Sequence, residues 1–161
     1  MATWNVRTLL DGSKSGGTLR RKTTLLSHEL GKYDTDIAAL HETRLAGDSS
    51  IVVDEYTISW RGYPEGQPRI HGVGIAIKNS LMNNLTEEPT YINERLIIRL
   101  LLVKGEYTHV ISAYAPTLVA EEEAKDEFYS DLSNVLRGIN PKDKIILLGD
   151  FNVRVGRRRD L

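Results

Sequence analysis

The chain has 161 residues, 40% of them hydrophobic and 27% charged, with 21 basic side chains against 22 acidic ones and a formal net charge of −1. That is enough chain for one domain with a sizeable core, in the ordinary composition of a soluble globular protein. There is no cysteine, which excludes disulfides and thiolate metal sites and agrees with a reducing compartment. No apolar stretch approaches the roughly 20 residues of a membrane helix, and no signal peptide is read ahead of the strand-like segment Ala2 to Leu10. The near-zero net charge does not by itself point to nucleic acid. Its distribution keeps that partner open, because bases cluster at Arg20 to Lys22 and at Arg154 and Arg157 to Arg159, apart from the acids at 87–88 and 121–123.

In chain order, Ala2 to Val6 reads as a short strand and Asp11 to Gly17 as a Gly/Ser-rich loop. Leu19 to Lys32 reads as a helix, with Leu19, Leu26 and Leu30 near helical spacing and Gly31 near its end. Asp36 to Leu40 is an apolar strand leading into His41 and Glu42. Gly47 to Ser50 is expected as loop, Tyr56 to Trp60 as strand, and the Gly- and Pro-rich stretch Gly62 to Gly72 as irregular. Val73 to Lys78 is a strand. Leu96 to Val103 and Tyr107 to Ala113 flank Lys104-Gly105-Glu106 as a hairpin, provided that Arg99 is allowed inside an otherwise apolar run. Ala124, Phe128, Leu132, Val135 or Leu136, and Ile139 form the clearest amphipathic stripe, with Glu121 to Glu123 at its start and Asn140-Pro141 at its end. Ile145 to Leu148 is expected as a buried strand running into Gly149-Asp150-Phe151-Asn152. With no repeat and no linker, the order predicts one α/β domain with sheets covered by helices.

Polar residues recur where these strands end: Asn5, Glu42, Tyr114, Asp150 and Asn152. A strand end can hold a side chain rigidly in a cleft while the strand itself stays buried. Mg²⁺ takes hard oxygen ligands, usually one or two carboxylates with water and phosphate completing the shell, and Glu42 suits that role. Asn5 and Asn152 can orient a carboxylate or a water without adding charge. Asp150 could position or deprotonate an attacking water, and Tyr114 could donate to a phosphate oxygen as charge builds there.

Thr3-Trp4-Asn5-Val6-Arg7, Leu40-His41-Glu42-Thr43-Arg44, Tyr114-Ala115-Pro116 and Gly149-Asp150-Phe151-Asn152 resemble, in order, the first four motifs of the endonuclease/exonuclease/phosphatase family. Within that family the wording is most similar to the endonuclease domains of non-LTR retrotransposons. The resemblance implies a four-layer, deoxyribonuclease I-like α/β sandwich. It implies DNA as substrate and Mg²⁺, or Mn²⁺ in its place, as cofactor. Glu42 matches the main metal ligand and Asn5 the asparagine supporting it. Tyr114 matches the tyrosine on the scissile phosphate, and Asp150 and Asn152 the pair that aligns the nucleophile and stabilises the transition state. Arg7 and Arg44, inside the first two motifs, are read as substrate-binding. The implied reaction is in-line attack of water on a phosphodiester, and a retrotransposon endonuclease would act on nuclear DNA.

Three departures bear on this reading. The family's later Asp and its C-terminal Ser-Asp-His motif have no counterpart in the 161 residues, so a C-terminally truncated domain is expected, with 157–161 as an off-family tail. His41 stands where the family commonly has Gln, and its charge below about pH 6.5 would oppose a cation. Arg7 stands where the abasic-site repair enzymes carry Asp. A catalytically inactive remnant and a phosphatase acting on a small phosphoester are therefore the alternatives. His28, His71 and His109 are read as surface or satisfied histidines, and Trp4 and Trp60 as core or rim aromatics.

Overall fold

The computed structural model describes residues 1–10 and 20–152. The loop expected over Asp11 to Gly17, the start of the first helix at Leu19, and the basic tail with Arg154 and Arg157 to Arg159 lie outside the described residues. The elements run β1 (Ala2–Asn5), α1 (Arg20–Lys32), β2 (Ile37–His41), β3 (Asp48–Val53), β4 (Tyr56–Arg61), β5 (Val73–Lys78), a short 3-10 helix (Asn79–Asn84), β6 (Thr90–Asn93), β7 (Leu96–Val103), β8 (Glu106–Tyr114), α2 (Glu122–Gly138) and β9 (Lys144–Asp150). Among the described residues no helix is long and apolar enough to cross a membrane.

Among the described residues nine strands make two sheets, one in the order β1-β2-β5-β4-β3 and the other β6-β7-β8-β9. Most neighbours are antiparallel, but β1–β2 and β8–β9 are parallel. A parallel pair needs a crossover, and α1 and α2 supply it: β1-α1-β2 and β8-α2-β9 are two βαβ units, one in each sheet. Three apolar layers separate the helices and sheets. Leu26 and Leu30 of α1 pack on Ala38, Leu40, Tyr56 and Ile58. Ile37, Val73, Ile75 and Ile77 of the first sheet meet Ile97, Leu101 and Val110 of the second. Phe128 and Leu132 of α2 cover Leu96, Ile111 and Ala113. The result is the expected helix–sheet–sheet–helix sandwich. Alternation along each strand, with successive side chains on opposite faces, is what feeds two cores from one sheet: Ile37 points inward while Ala38 points to α1.

The predicted elements need two corrections. Gly47 to Ser50 is not loop throughout, since β3 begins at Asp48 and pairs Asp48 to Val53 with β4. It is an edge strand with most of its side chains exposed, so polar Asp48-Ser49-Ser50 costs it nothing in burial. The strand leading to Asp150 is half buried rather than buried. Ile146 and Leu148 pack between the sheets, whereas Ile145 and Leu147 are 44% and 37% exposed. The four-residue β6 and the 3-10 helix are additions that the hydrophobic pattern does not carry. Close approach fixes glycine at several positions: a Cβ on Gly62 would stand 1.8 Å from the Leu45 carbonyl oxygen, and one on Gly74 2.9 Å from that of Ser59.

Candidate active site

Each parallel pair brings two C-terminal strand ends side by side. In the first sheet Asn5 is in register with His41, which precedes Glu42; in the second, Tyr114 is in register with Asp150. The two sheets stack so that β1 and β2 approach β8 and β9, and the four ends converge. Asn5, His41, Asp150 and Asn152 line one cleft of about 430 Å³.

Glu42 is the hub. Its Oε1 accepts from Asn5 Nδ2 at 2.8 Å and from the Tyr114 hydroxyl at 3.0 Å, and Arg44 Nη2 lies 3.3 Å from its Oε2. The Asn5 amide, then the Tyr114 hydroxyl and the Arg44 guanidinium, hold this carboxyl below the usual carboxylate range against a smaller opposing effect of burial. It is therefore ionised at neutral pH. Backbone strain accompanies the placement, because Glu42 and Arg44 have φ of 56° and 54°, a left-handed conformation costly for a side chain with a Cβ. Hydrogen bonds from Thr43 and Arg44 N–H to the carbonyls of Gly72 and His71 hold that turn. Asn5 is itself oriented, its Oδ1 accepting from the Arg7 N–H at 3.1 Å.

On the second sheet, Asn152 N–H donates to Asp150 Oδ1 at 3.0 Å, and Asn152 Nδ2 to the Ala115 carbonyl at 2.7 Å. Asn152 has φ of 49°, a conformation asparagine tolerates better than most residues. Gly149 keeps the end of β9 close to β8, since a Cβ there would stand 2.5 Å from the Ala113 carbonyl oxygen.

Tyr114 is 5% exposed, and burial together with its bond to Glu42 pushes its hydroxyl up to about 12. It is thus a donor and not a base. Its ring stacks on His41, with centroids 5.7 Å apart. Arg95 packs over the ring at 5.4 Å, donates to the Tyr114 carbonyl at 3.1 Å and sits 2.9 Å from His71 Nε2. A guanidinium only donates, so His71 accepts there as the neutral ring.

The structure brings Asn5, Glu42, Arg44, Tyr114, Asp150 and Asn152 together. Arg7 joins through its backbone N–H, with its side chain exposed. The expectation that His41 would carry an opposing charge is corrected. The ring is fully buried, and burial pushes it down to about 4 despite the fields of Asp150 and Glu42, so it is neutral at physiological pH. Sequence reasoning also missed Arg95. Its one visible signal is a charge set directly before the apolar run of β7. Of the other histidines, His28 is exposed, while His71 and His109 have polar partners, Asp143 for the latter at 2.9 Å.

Among the described residues no three His, Cys, Asp or Glu side chains are grouped as a metal cage. Mg²⁺ does not require one. A single ionised carboxylate, its Oε1 fixed by two neutral donors and with the Asp150 carboxylate lining the cleft beside Asn5, fits that ion as its protein anchor.

Asn5→Ala tests the hub. Removing the leading cause should move the Glu42 carboxyl up toward its ordinary 4.5, read by ¹³C NMR titration. A depressed carboxyl stabilises the fold above its unfolded value, and that stabilisation is lost as pH falls through its folded value. The variant should therefore lose less stability than the parent on acidification through that window.

Residues 2–159 match the model of the Endonuclease/Exonuclease/phosphatase family. Craniofacial development protein 2 of Bos taurus is 31% identical over 158 residues, 97% of this chain and 24% of that protein. The chain spans about a quarter of the length of the curated relatives it matches. Among solved structures, the AP endonuclease LMAP from Leishmania major superposes with a TM-score of 0.65 at 17% identity, covering 94% of this chain and 54% of its own. D. rerio TDP2 complexed with single strand DNA product gives 0.59 at 16% identity, over 94% and 60%. At these identities the two structures speak for the fold.

Proposed function

We propose that this chain, which belongs to the Endonuclease/Exonuclease/phosphatase family, is the part of a divalent-metal phosphodiesterase that nicks DNA, of the kind carried by non-LTR retrotransposons. The observation that carries the reading is the convergence of one ionised carboxylate, one protonated phenol and an Asp–Asn pair at the ends of two parallel strand pairs. That set answers the needs of phosphodiester hydrolysis: an anchor for a cation, a donor for the phosphate and an acceptor for the proton of water.

In this reading Glu42 would hold Mg²⁺, with Asn5 fixing the carboxylate. The bound ion would supply positive charge to polarise the phosphate and offset the charge on the leaving 3′-oxygen. Tyr114 keeps its proton at working pH and, on substrate binding, turns that one hydrogen bond from Glu42 Oε1 to a non-bridging phosphate oxygen, where charge accumulates. Asp150 accepts the proton of the attacking water as the new P–O bond forms and the bond to the 3′-oxygen breaks. Asn152, anchored on Ala115, points Asp150 through its N–H. Arg44 lies beside Glu42, where a guanidinium meets the backbone of the substrate. The DNA product bound to the TDP2 homologue supports a nucleic-acid substrate.

The test is relaxation of supercoiled plasmid by the purified chain with Mg²⁺ and with EDTA. Nicking is expected with the metal and none with the chelator; equal nicking in both would overturn the metal-dependent reading. A second reading, a site that binds without cutting, is favoured by one feature. The histidine lining the cleft, His41, is buried between the hydroxyls of Thr3 and Ser112 and is not free to act on phosphate. Metal-dependent DNA binding without nicking would select it.

A further inference from the structure

The layer between the sheets is not apolar throughout. Along β7 the inward positions are Ile97, Arg99 and Leu101, and Ile97 and Leu101 join the central core. Arg99 stands between them at 5% exposure, and its Nε has no hydrogen-bond partner among the described residues. Opposite it, the inner faces of β3 and β4 turn polar: Ser50 pairs with Ser59 across the two strands. Arg99, Ser50 and Ser59 line a cavity of about 590 Å³, with Met82 and Leu85 as apolar wall and Glu87 and Glu88, both exposed, at its margin. This is the β3–β6 side of the sandwich, across the molecule from the β1–β9 side where Asn5 and Asp150 meet.

A buried guanidinium with an unmet N–H is an expensive feature to keep in a core. Its planar fork is shaped for an oxyanion taken bidentately. The volume falls in the range of small-molecule sites, and Met82 and Leu85 suit an apolar body. The charge balance narrows the head group. Arg99 is the one buried charge lining the cavity among the described residues, whereas Glu87 and Glu88 are exposed at its margin, where solvent screens them, so a single negative charge on the head group is matched and a second would be unpaired and meet repulsion. We propose that this cavity is a binding site for a small organic monocarboxylate, its head group on Arg99 and its apolar part against Met82 and Leu85. This site does not depend on the phosphodiesterase reading.

The experiment follows the Nε–Hε cross-peak of Arg99 in ¹⁵N-labelled chain, with EDTA present, while butyrate, butyramide or inorganic phosphate is added. Arg99→Met assigns the peak and replaces the charge with an apolar side chain of similar length, which a buried site should tolerate. The expected result is a saturable shift with butyrate, at least about tenfold tighter than with phosphate, and none with butyramide. Butyrate should also raise the melting temperature of the parent and not of Arg99→Met. A cross-peak unmoved by butyrate, or tighter binding of phosphate, would overturn the assignment. So would an Arg99 peak that moves on Glu88→Gln without ligand and responds to butyrate in that variant alone, because Glu88 would then be the partner in solution.

Discussion

Glu42→Ala is expected to reduce metal-dependent plasmid nicking by about a thousandfold, since a bound cation supplies several kcal/mol of transition-state stabilisation and each 1.4 kcal/mol is about tenfold. Glu42→Gln is the sharper variant. The Ala substitution also strips the acceptor from two donors, Asn5 Nδ2 and the Tyr114 hydroxyl. The amide keeps an acceptor oxygen at the same reach and removes only the charge. A common loss of nicking in both variants, with the glutamine variant melting like the parent, is the outcome of a carboxylate that holds metal. Parent-like nicking by Glu42→Gln would sink that role outright, because a neutral side chain would then suffice. Ala, Gln and Glu all carry a Cβ, so the left-handed φ at residue 42 costs each a similar strain and does not confuse the comparison.

Acid should weaken the fold through His41. The ring is neutral in the folded chain, pushed from 6.5 to about 4. At about 1.4 kcal/mol per pH unit of depression, that is worth about 3 kcal/mol. Between pH 4 and 6.5 the unfolded chain binds this proton and the folded chain does not, so stability falls as pH drops across that window. Urea midpoints measured at several pH values in that window should decline in the parent and flatten in His41→Gln. The glutamine offers a donor and an acceptor to Thr3 and Ser112 without a titrating group. An equally steep decline in the variant would show that the loss comes from another group.

The helices and most strands were legible because their burial is one-sided and periodic. Phe128 and Leu132 sit where the stripe of α2 requires them, and the strands of the parallel pairs end within a residue or two of the polar side chains that the sequence singles out. β3 and β6 were not, for the opposite reason. Both lie at sheet edges, where side chains need not be apolar and pairing is set by the neighbouring strand. Half of β9 misled in the same way: Ile145 and Leu147 are apolar yet exposed, so residue type alone overstates burial. At the site, Asn5, Glu42, Tyr114, Asp150 and Asn152 could be read because each is a hydrogen-bonding side chain at a strand end. Arg95 could not. Its partners are His71, in the irregular stretch 62–72, and Tyr114, nineteen residues on, and only the stacking of elements brings them together. The state of His41 was hidden likewise, since a histidine's charge is decided by what covers it.

The two βαβ units leave the molecule with unlike ends. Every strand terminus that carries a site group points one way, and the tight reversals Asp54-Glu55, between β3 and β4, and Lys104-Gly105, between β7 and β8, close the other. Those turns hold left-handed φ at Asp54, Lys104 and Gly105 and touch none of the chemistry. They are therefore the natural points of attachment for an added segment, such as an affinity tag, a fluorophore or a fused domain. An insertion there would lengthen a loop at small entropic cost while leaving open the face that carries the candidate site.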